Sequence, residues 1–187
     1  NLTLDTTGST GSASHTFTGD INLGTARLSV TGDVVLGANV TITARASNNH
    51  GIRIRDKINA DDATNNDRTL TLNSGTGATM TFNDAIGSTE ALAGLTITQS
   101  DGVTFNSTLD ITDGSAGTLT VTDTENGSDI VFNGAVTLET VSFAAQGYDL
   151  VFNGSGNTFT NAVTFQNTGT LNLGNASGDT FTFNGGL

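Results

Sequence analysis

The sequence predicts an all-β chain wound as a right-handed parallel β-helix, a β-solenoid of about seven or eight rungs with three short strands each. Three observations carry this expectation. Apolar and polar residues alternate with the strand period of two along most of the chain. A short strand ending in Phe-Asn recurs five times, and no stretch has convincing helical spacing. An internal period is the first thing to look for, because it sets the whole architecture.

Taken from the N-terminus, the early rungs are less regular. DINLG (20–24) and DVVLG (33–37) stand thirteen residues apart and are followed by VTIT (40–43). The section 51–68, GIRIRDKINADDATNNDR, breaks the alternation and holds most of the cations, so it reads as an irregular rung with a protruding loop. The pattern resumes with TLTLN (69–73). Five Phe-Asn strands follow: MTFN (80–83), VTFN (103–106), IVFN (130–133), LVFN (150–153) and FTFN (181–184), whose Phe residues are 23, 27, 20 and 31 apart.

Each interval parses into three strands separated by turns. The Phe-Asn strand comes first. The second is carried by Ala85-Ile86, Leu109-Asp110-Ile111, Val136-Thr137-Leu138 and Val163-Thr164-Phe165. The third is LTIT (95–98), LTVT (119–122), VSFA (141–144) and LNLG (171–174). Asn-Gly at 126, 133, 153 and 184 marks turns, where positive φ is cheap. In hairpins that dipeptide would favour an antiparallel meander; segments constant within strands and variable between them favour coils. The chain therefore reads as a single solenoid segment, 1–187, with irregular rungs over 1–68 and regular acidic rungs over 69–187.

Composition narrows the function classes. With no cysteine there is no disulfide framework, thiol chemistry or cysteine metal site. The net charge of −12 is uneven: all six basic residues precede position 69, leaving residues 69–187 with eleven acidic groups and no Lys or Arg. Such a surface repels a phosphate backbone or an anionic membrane, so neither nucleic acid nor membrane insertion is expected. No apolar run is long enough to span a bilayer as a helix. The chain opens at Asn1 without a leader, as a mature or excised segment would. Neither end resembles a capping helix, so both ends are expected to need neighbouring rungs or identical subunits.

Few residues suggest chemistry. Asp101, Asp129, Asp149 and Asp179 each stand just ahead of a Phe-Asn strand, and would form a carboxylate row on successive rungs. Calcium bridges such rows readily, and Asp123, Glu125 and Asp129 concentrate oxygen ligands in one turn. Calcium is thus the one ion the sequence suggests, none being required; the bland alternative is that each Asp accepts backbone hydrogen bonds in its turn. Phe82, Phe105, Phe132, Phe152 and Phe183 are expected to stack inside the coil, with Asn83, Asn106, Asn133, Asn153 and Asn184 as an amide ladder at the turn.

Thr-x-Thr pairs, at Thr41/Thr43, Thr69/Thr71, Thr79/Thr81, Thr96/Thr98 and Thr118/Thr120/Thr122, place hydroxyls on one strand face, as on the ice-binding face of solenoid antifreeze proteins. Unequal coil lengths are expected to spoil that regularity, and Thr also suits outward strand positions for its propensity. His15 and His50 lack catalytic or metal-ligand spacing and read as surface residues. A polysaccharide lyase needs a base and cations that residues 69–187 lack, and a hydrolase needs paired carboxylates that only the Asp row imitates. No catalytic residues are assigned.

Residues 69–98, TLTLNSGTGATMTFNDAIGSTEALAGLTIT, with TGDVVLGANVTITA (31–44) ahead of them, resemble the repeats of large bacterial exoproteins of the filamentous-haemagglutinin and autotransporter-adhesin type. That resemblance implies secretion to the bacterial cell surface, a right-handed parallel β-helix, and roles in adhesion, aggregation or an extracellular matrix such as a biofilm. The function expected is a structural or adhesive, non-catalytic solenoid segment, with a surface glycan or protein as a partner. The alternatives are a subunit polymerising end to end into a filament or sheath and, more remotely, a carbohydrate-binding or carbohydrate-active β-helix.

Overall fold

The computed structural model describes residues 1–6, 13–47, 50–61, 68–112 and 116–187, and these contain strands and turns but no helix. Numbered along the chain, the strands make three faces. The first is one eight-stranded sheet in which β1 (Leu2–Asp5), β4 (Leu28–Thr31), β7 (His50–Ile54), β10 (Thr79–Phe82), β12 (Val103–Phe105), β15 (Asp129–Phe132), β18 (Asp149–Phe152) and β20 (Leu171–Leu173) stack in that order. The second face begins with β2 (Ser14–Phe17), β5 (Asp33–Leu36) and β8 (Ile58–Ala60). It continues with β13 (Leu109–Ile111), β16 (Val136–Leu138), β19 (Asn157–Phe159) and β21 (Phe181–Phe183), the two groups being joined by isolated bridges from Ile86 to Ile58 and Leu109. The third is a six-stranded sheet of β3 (Ile21–Asn22), β6 (Val40–Thr43), β9 (Thr69–Asn73), β11 (Gly94–Gln99), β14 (Thr118–Val121) and β17 (Thr140–Phe143).

All the pairings are parallel, and the eight strands of the first face give a β-solenoid of about seven turns. Period two puts one side-chain set inside, and parallel in-register pairing stacks like on like. On the first face Leu2, Leu28, Ile52, Met80, Val103, Ile130, Leu150 and Leu171 form one inward column. Leu4, Val30, Ile54, Phe82, Phe105, Phe132, Phe152 and Leu173 form the next. The third face adds Ile21, Ile42, Leu72, Ile97, Val121 and Phe143. Each such side chain, fully buried, contributes about 1.5–3 kcal/mol of burial free energy.

Unequal coils leave the stacking intact. Met80 pairs Val103, Val103 pairs Ile130 and Ile130 pairs Leu150, so steps of 23, 27 and 20 residues end in register, with the difference taken up between strands.

Three expectations need correction. The interval from Phe152 to Phe183 is more than one coil: Leu150 already pairs with Leu171, so 171–173 is a first-face strand and not a third strand. FTFN (181–184) consequently falls on the second face, where Phe183 pairs with Phe159. Val163-Thr164-Phe165 is no strand, although the Phe165 ring stacks on Phe143 at 5.7 Å, where the third face would continue. Within 51–68, His50–Ile54 and Ile58–Ala60 are rung strands, because Ile52, Ile54 and Ile58 fill interior columns; the rung is irregular at Gly51, where the register against β10 shifts between Thr79 and Met80. Residues 62–67, where the rest of the expected protrusion falls, lie outside the described residues. Finally, His15 takes an interior column opposite Val34, and its Nε2 donates to the Thr31 carbonyl oxygen at 3.1 Å, so it is not a plain surface residue.

Candidate functional site

The Phe-Asn strands build two axial ladders side by side. Phe82, Phe105, Phe132 and Phe152 stack nearly parallel, with centroid separations of 5.1, 5.1 and 4.6 Å. At the following residue the chain leaves the strand. There Asn106 Nδ2 donates to Asn83 Oδ1 at 3.3 Å, Asn133 Nδ2 to Asn106 Oδ1 at 3.0 Å, and Asn153 Nδ2 to Asn133 Oδ1 at 3.0 Å. The amides therefore point one way along the axis over four rungs. Phe183 and Asn184 belong to neither ladder; Phe183 instead stacks on Phe159 at 4.9 Å.

The carboxylates are distributed differently from the expected row. Asp129 and Asp149 are direct partners on adjacent strands. Asp101 is one residue out of step, because Val103 pairs with Ile130, and its Oδ1 instead accepts from the Ser128 hydroxyl at 3.0 Å. Asp149 Oδ1 accepts from the Thr170 N–H. Asp179 lies between the first and second faces, away from the others, and its Oδ2 accepts from the N–H groups of Asn175 and Ala176 at 2.7 and 2.8 Å. Asp123 Oδ2 accepts from Gln99 Nε2 at 3.3 Å, while Glu125 is exposed in a turn closed by the Ser128 N–H on its carbonyl. Asp149 and Asp179 thus act as backbone caps of the kind that turn-forming Asp residues supply. Among the described residues no three acidic or imidazole groups converge as a metal cage.

Asp101 and Asp129 do share one feature with His50. All three line a shallow groove of about 420 Å³ on the outer side of the first face, together with Thr79, Thr81, Thr104 and Ser128. His50 is fixed there by a 3.2 Å hydrogen bond between its Nδ1 and the Thr79 hydroxyl. Gly102, Val103, Gly127 and Val131 complete its lining, so it offers hydroxyls, two carboxylates and one imidazole. Its position follows from the fold, since residues of four successive first-face strands, β7, β10, β12 and β15, meet there.

Some polar residues in the interior went unsuspected. Ser74, Ser100 and Thr124 are buried where the chain leaves the third face, with Ser74 Oγ donating to the Ala78 carbonyl at 2.6 Å and Ser100 and Thr124 hydroxyls bonded at 2.9 Å. Buried Asn157 Oδ1 accepts from the Val136 N–H at 3.2 Å. Their only sequence signal is a polar residue at an inward phase. Tyr148 is also buried and donates its hydroxyl to the Ala144 carbonyl at 3.0 Å; burial, and secondarily the negative Asp123, push its pKa up to about 12.

No protein-family model matches this chain, and no curated protein or solved structure matches it. The reading of the site therefore rests on its own geometry.

Proposed function

We propose that this chain is a rigid, non-catalytic stalk segment of a secreted bacterial surface protein, of the adhesin type its repeats resemble, that spaces or displays other parts of an assembly. The observation that carries the reading is the pair of axial ladders. Stacked rings and a one-way amide chain join four successive rungs on top of the backbone ladder, giving a rod whose strength runs along its axis. The same ladders occupy the residues that are most repetitive in the sequence, so repetition is accounted for by mechanics. Pulling the protein from its two ends by single-molecule force spectroscopy tests this. Stepwise loss of rungs at forces well above those of a helical-bundle control is expected. Uniform low-force unravelling, or turnover of any member of a polysaccharide panel, would overturn the reading.

A second reading has its own observation. The apolar residues that are only partly buried lie mostly in the outermost coils: Leu2, Leu4, Ile21 and Leu23 at one end, Phe165, Leu171, Phe181 and Phe183 at the other. Leu173 and Leu187 are 41% and 77% exposed. These columns are continued by another coil, either of a longer polypeptide or of a second copy stacked end to end as in a filament or sheath. Analytical ultracentrifugation and negative-stain microscopy over a concentration series distinguish the two, because only the second gives growing fibres.

A further inference from the structure

The third face carries a feature that the stalk role does not use. Thr41, Thr71, Thr96, Thr120 and Ser142 fall opposite one another on five consecutive strands, β6, β9, β11, β14 and β17. Two residues earlier, Thr69, Gly94, Thr118 and Thr140 make a parallel outward row, broken only at the glycine. The irregularity in the β9–β11 pairing begins after Ile97 and leaves both rows in register. Unequal coil lengths therefore do not disturb the array, contrary to the expectation from sequence.

The array has two repeats fixed by the backbone: about 4.8 Å between strands and about 6.6 Å from residue to residue plus two along each strand. Thr is stiff at χ1, and in-register neighbours restrict it further, so the hydroxyls and methyls are ordered before any ligand arrives. The face is also neutral. None of its six strands contains an Asp, Glu, Lys, Arg or His, in a chain of net charge −12, whereas first-face strands carry Asp5, His50, Arg53, Asp129 and Asp149. Its charged groups stand at the limits: the Asp20 carboxylate, in line with the Thr41 row, accepts from the Thr41 N–H at 2.7 Å at one end, Arg68 and Glu139 precede Thr69 and Thr140, and Asn161 Nδ2 donates to Thr140 Oγ1 at 3.0 Å at the other end.

We infer that this face binds the surface of hexagonal ice. A neutral array offers no electrostatic steering to a charged partner. Each hydroxyl contact is weak alone, and their sum counts only for a ligand that repeats with the array. Ice repeats along one axis close to the inter-strand spacing, and ordered water bridges hydroxyls directly. Crystalline polysaccharide is the nearest competitor, but sugar faces favour aromatic platforms, and the outward positions of this sheet hold none.

The test is slow growth of ice in a solution of the 187-residue protein, with the protein assayed in ice and in remaining liquid, and recrystallisation followed under a microscope. The expected result is enrichment in ice and inhibited recrystallisation. The Thr96→Lys/Thr120→Lys variant should lose both while keeping its far-UV circular dichroism, and Thr158→Lys, outward on the second face, should keep both. Exclusion of the wild type from ice, retention by the double variant, equal loss in Thr158→Lys, or pelleting with microcrystalline cellulose without ice partition would each overturn the inference. Should the double variant fail to fold, Thr96→Gln replaces it with the same expected loss.

Discussion

Truncating the centre of the aromatic ladder gives the sharpest test of how the solenoid is held together. Phe132 is 1% exposed and lies between Phe105 at 5.1 Å and Phe152 at 4.6 Å, both nearly parallel to it. A buried Phe→Ala change costs about 3–5 kcal/mol in transfer and cavity terms. The two stacked partners contribute about 0.5–1.5 kcal/mol each beyond area burial, so Phe132→Ala should fall at the top of that range, about 5 kcal/mol. Phe183 stacks closely on Phe159 at one end, is only partly buried, and has one rung beside it, so Phe183→Ala should cost about 2 kcal/mol. Urea unfolding followed by circular dichroism measures both, with Phe132→Leu as a volume-conserving control at about 1–1.5 kcal/mol. In a nearest-neighbour array a central lesion also weakens two interfaces where an end lesion weakens one. The reasoning fails if Phe183→Ala shifts the midpoint as far as Phe132→Ala does at equal m-value.

Other consequences follow from particular contacts. The amide ladder has a direction: Asn83 only accepts and Asn153 only donates within it, so Asn153→Asp should cost about 1 kcal/mol in urea while Asn83→Asp is close to neutral. Tyr148 is the sole tyrosine and there is no tryptophan, so ultraviolet absorbance reports its ionisation alone. It should resist ionisation until about pH 12, and because the unfolded phenol ionises near pH 10, stability should fall as pH rises between the two values. A Cβ at Gly154 would stand 2.1 Å from the Gly134 carbonyl oxygen, whereas one at Gly127 meets nothing and faces only its φ of +78°. Melting should therefore show Gly154→Ala costing about 2–3 kcal/mol and Gly127→Ala about 1 kcal/mol. Asp129 and Asp149 are like charges directly opposed, so Asp129→Asn should raise the melting temperature at low salt, an advantage that 1 M NaCl removes.

The strands were legible, and so were their faces until the last coils. Alternation located nearly every strand from residue 69 onward, since an inward Leu, Ile, Val or Phe at every second position is what one buried face demands. The Phe-Asn motif then stood in for position on the coil, and this held for Phe82, Phe105, Phe132 and Phe152. It failed at Phe183 because all three faces bury the same kind of column, so FTFN suits the second face beneath Phe159 as well as it would suit the first. Face identity is decided by where the chain turns, and in the last coils neither 161–170 nor 174–180 contains a strand to count from.

The same ambiguity governs the polar residues, with opposite results. An Asp ahead of a strand has two phases, and a one-residue offset was enough to take Asp101 out of line with Asp129 and reduce an apparent carboxylate row to the opposed pair Asp129 and Asp149. A Thr within a strand has no such freedom, because its phase is bound to the buried residues on either side: once Leu70, Leu95 and Leu119 share a column, Thr71, Thr96 and Thr120 must share the next one outward. Coil length enters only between strands. Regularity outside is therefore inherited from packing inside, and an ordered hydroxyl face can persist on a solenoid whose turns vary freely.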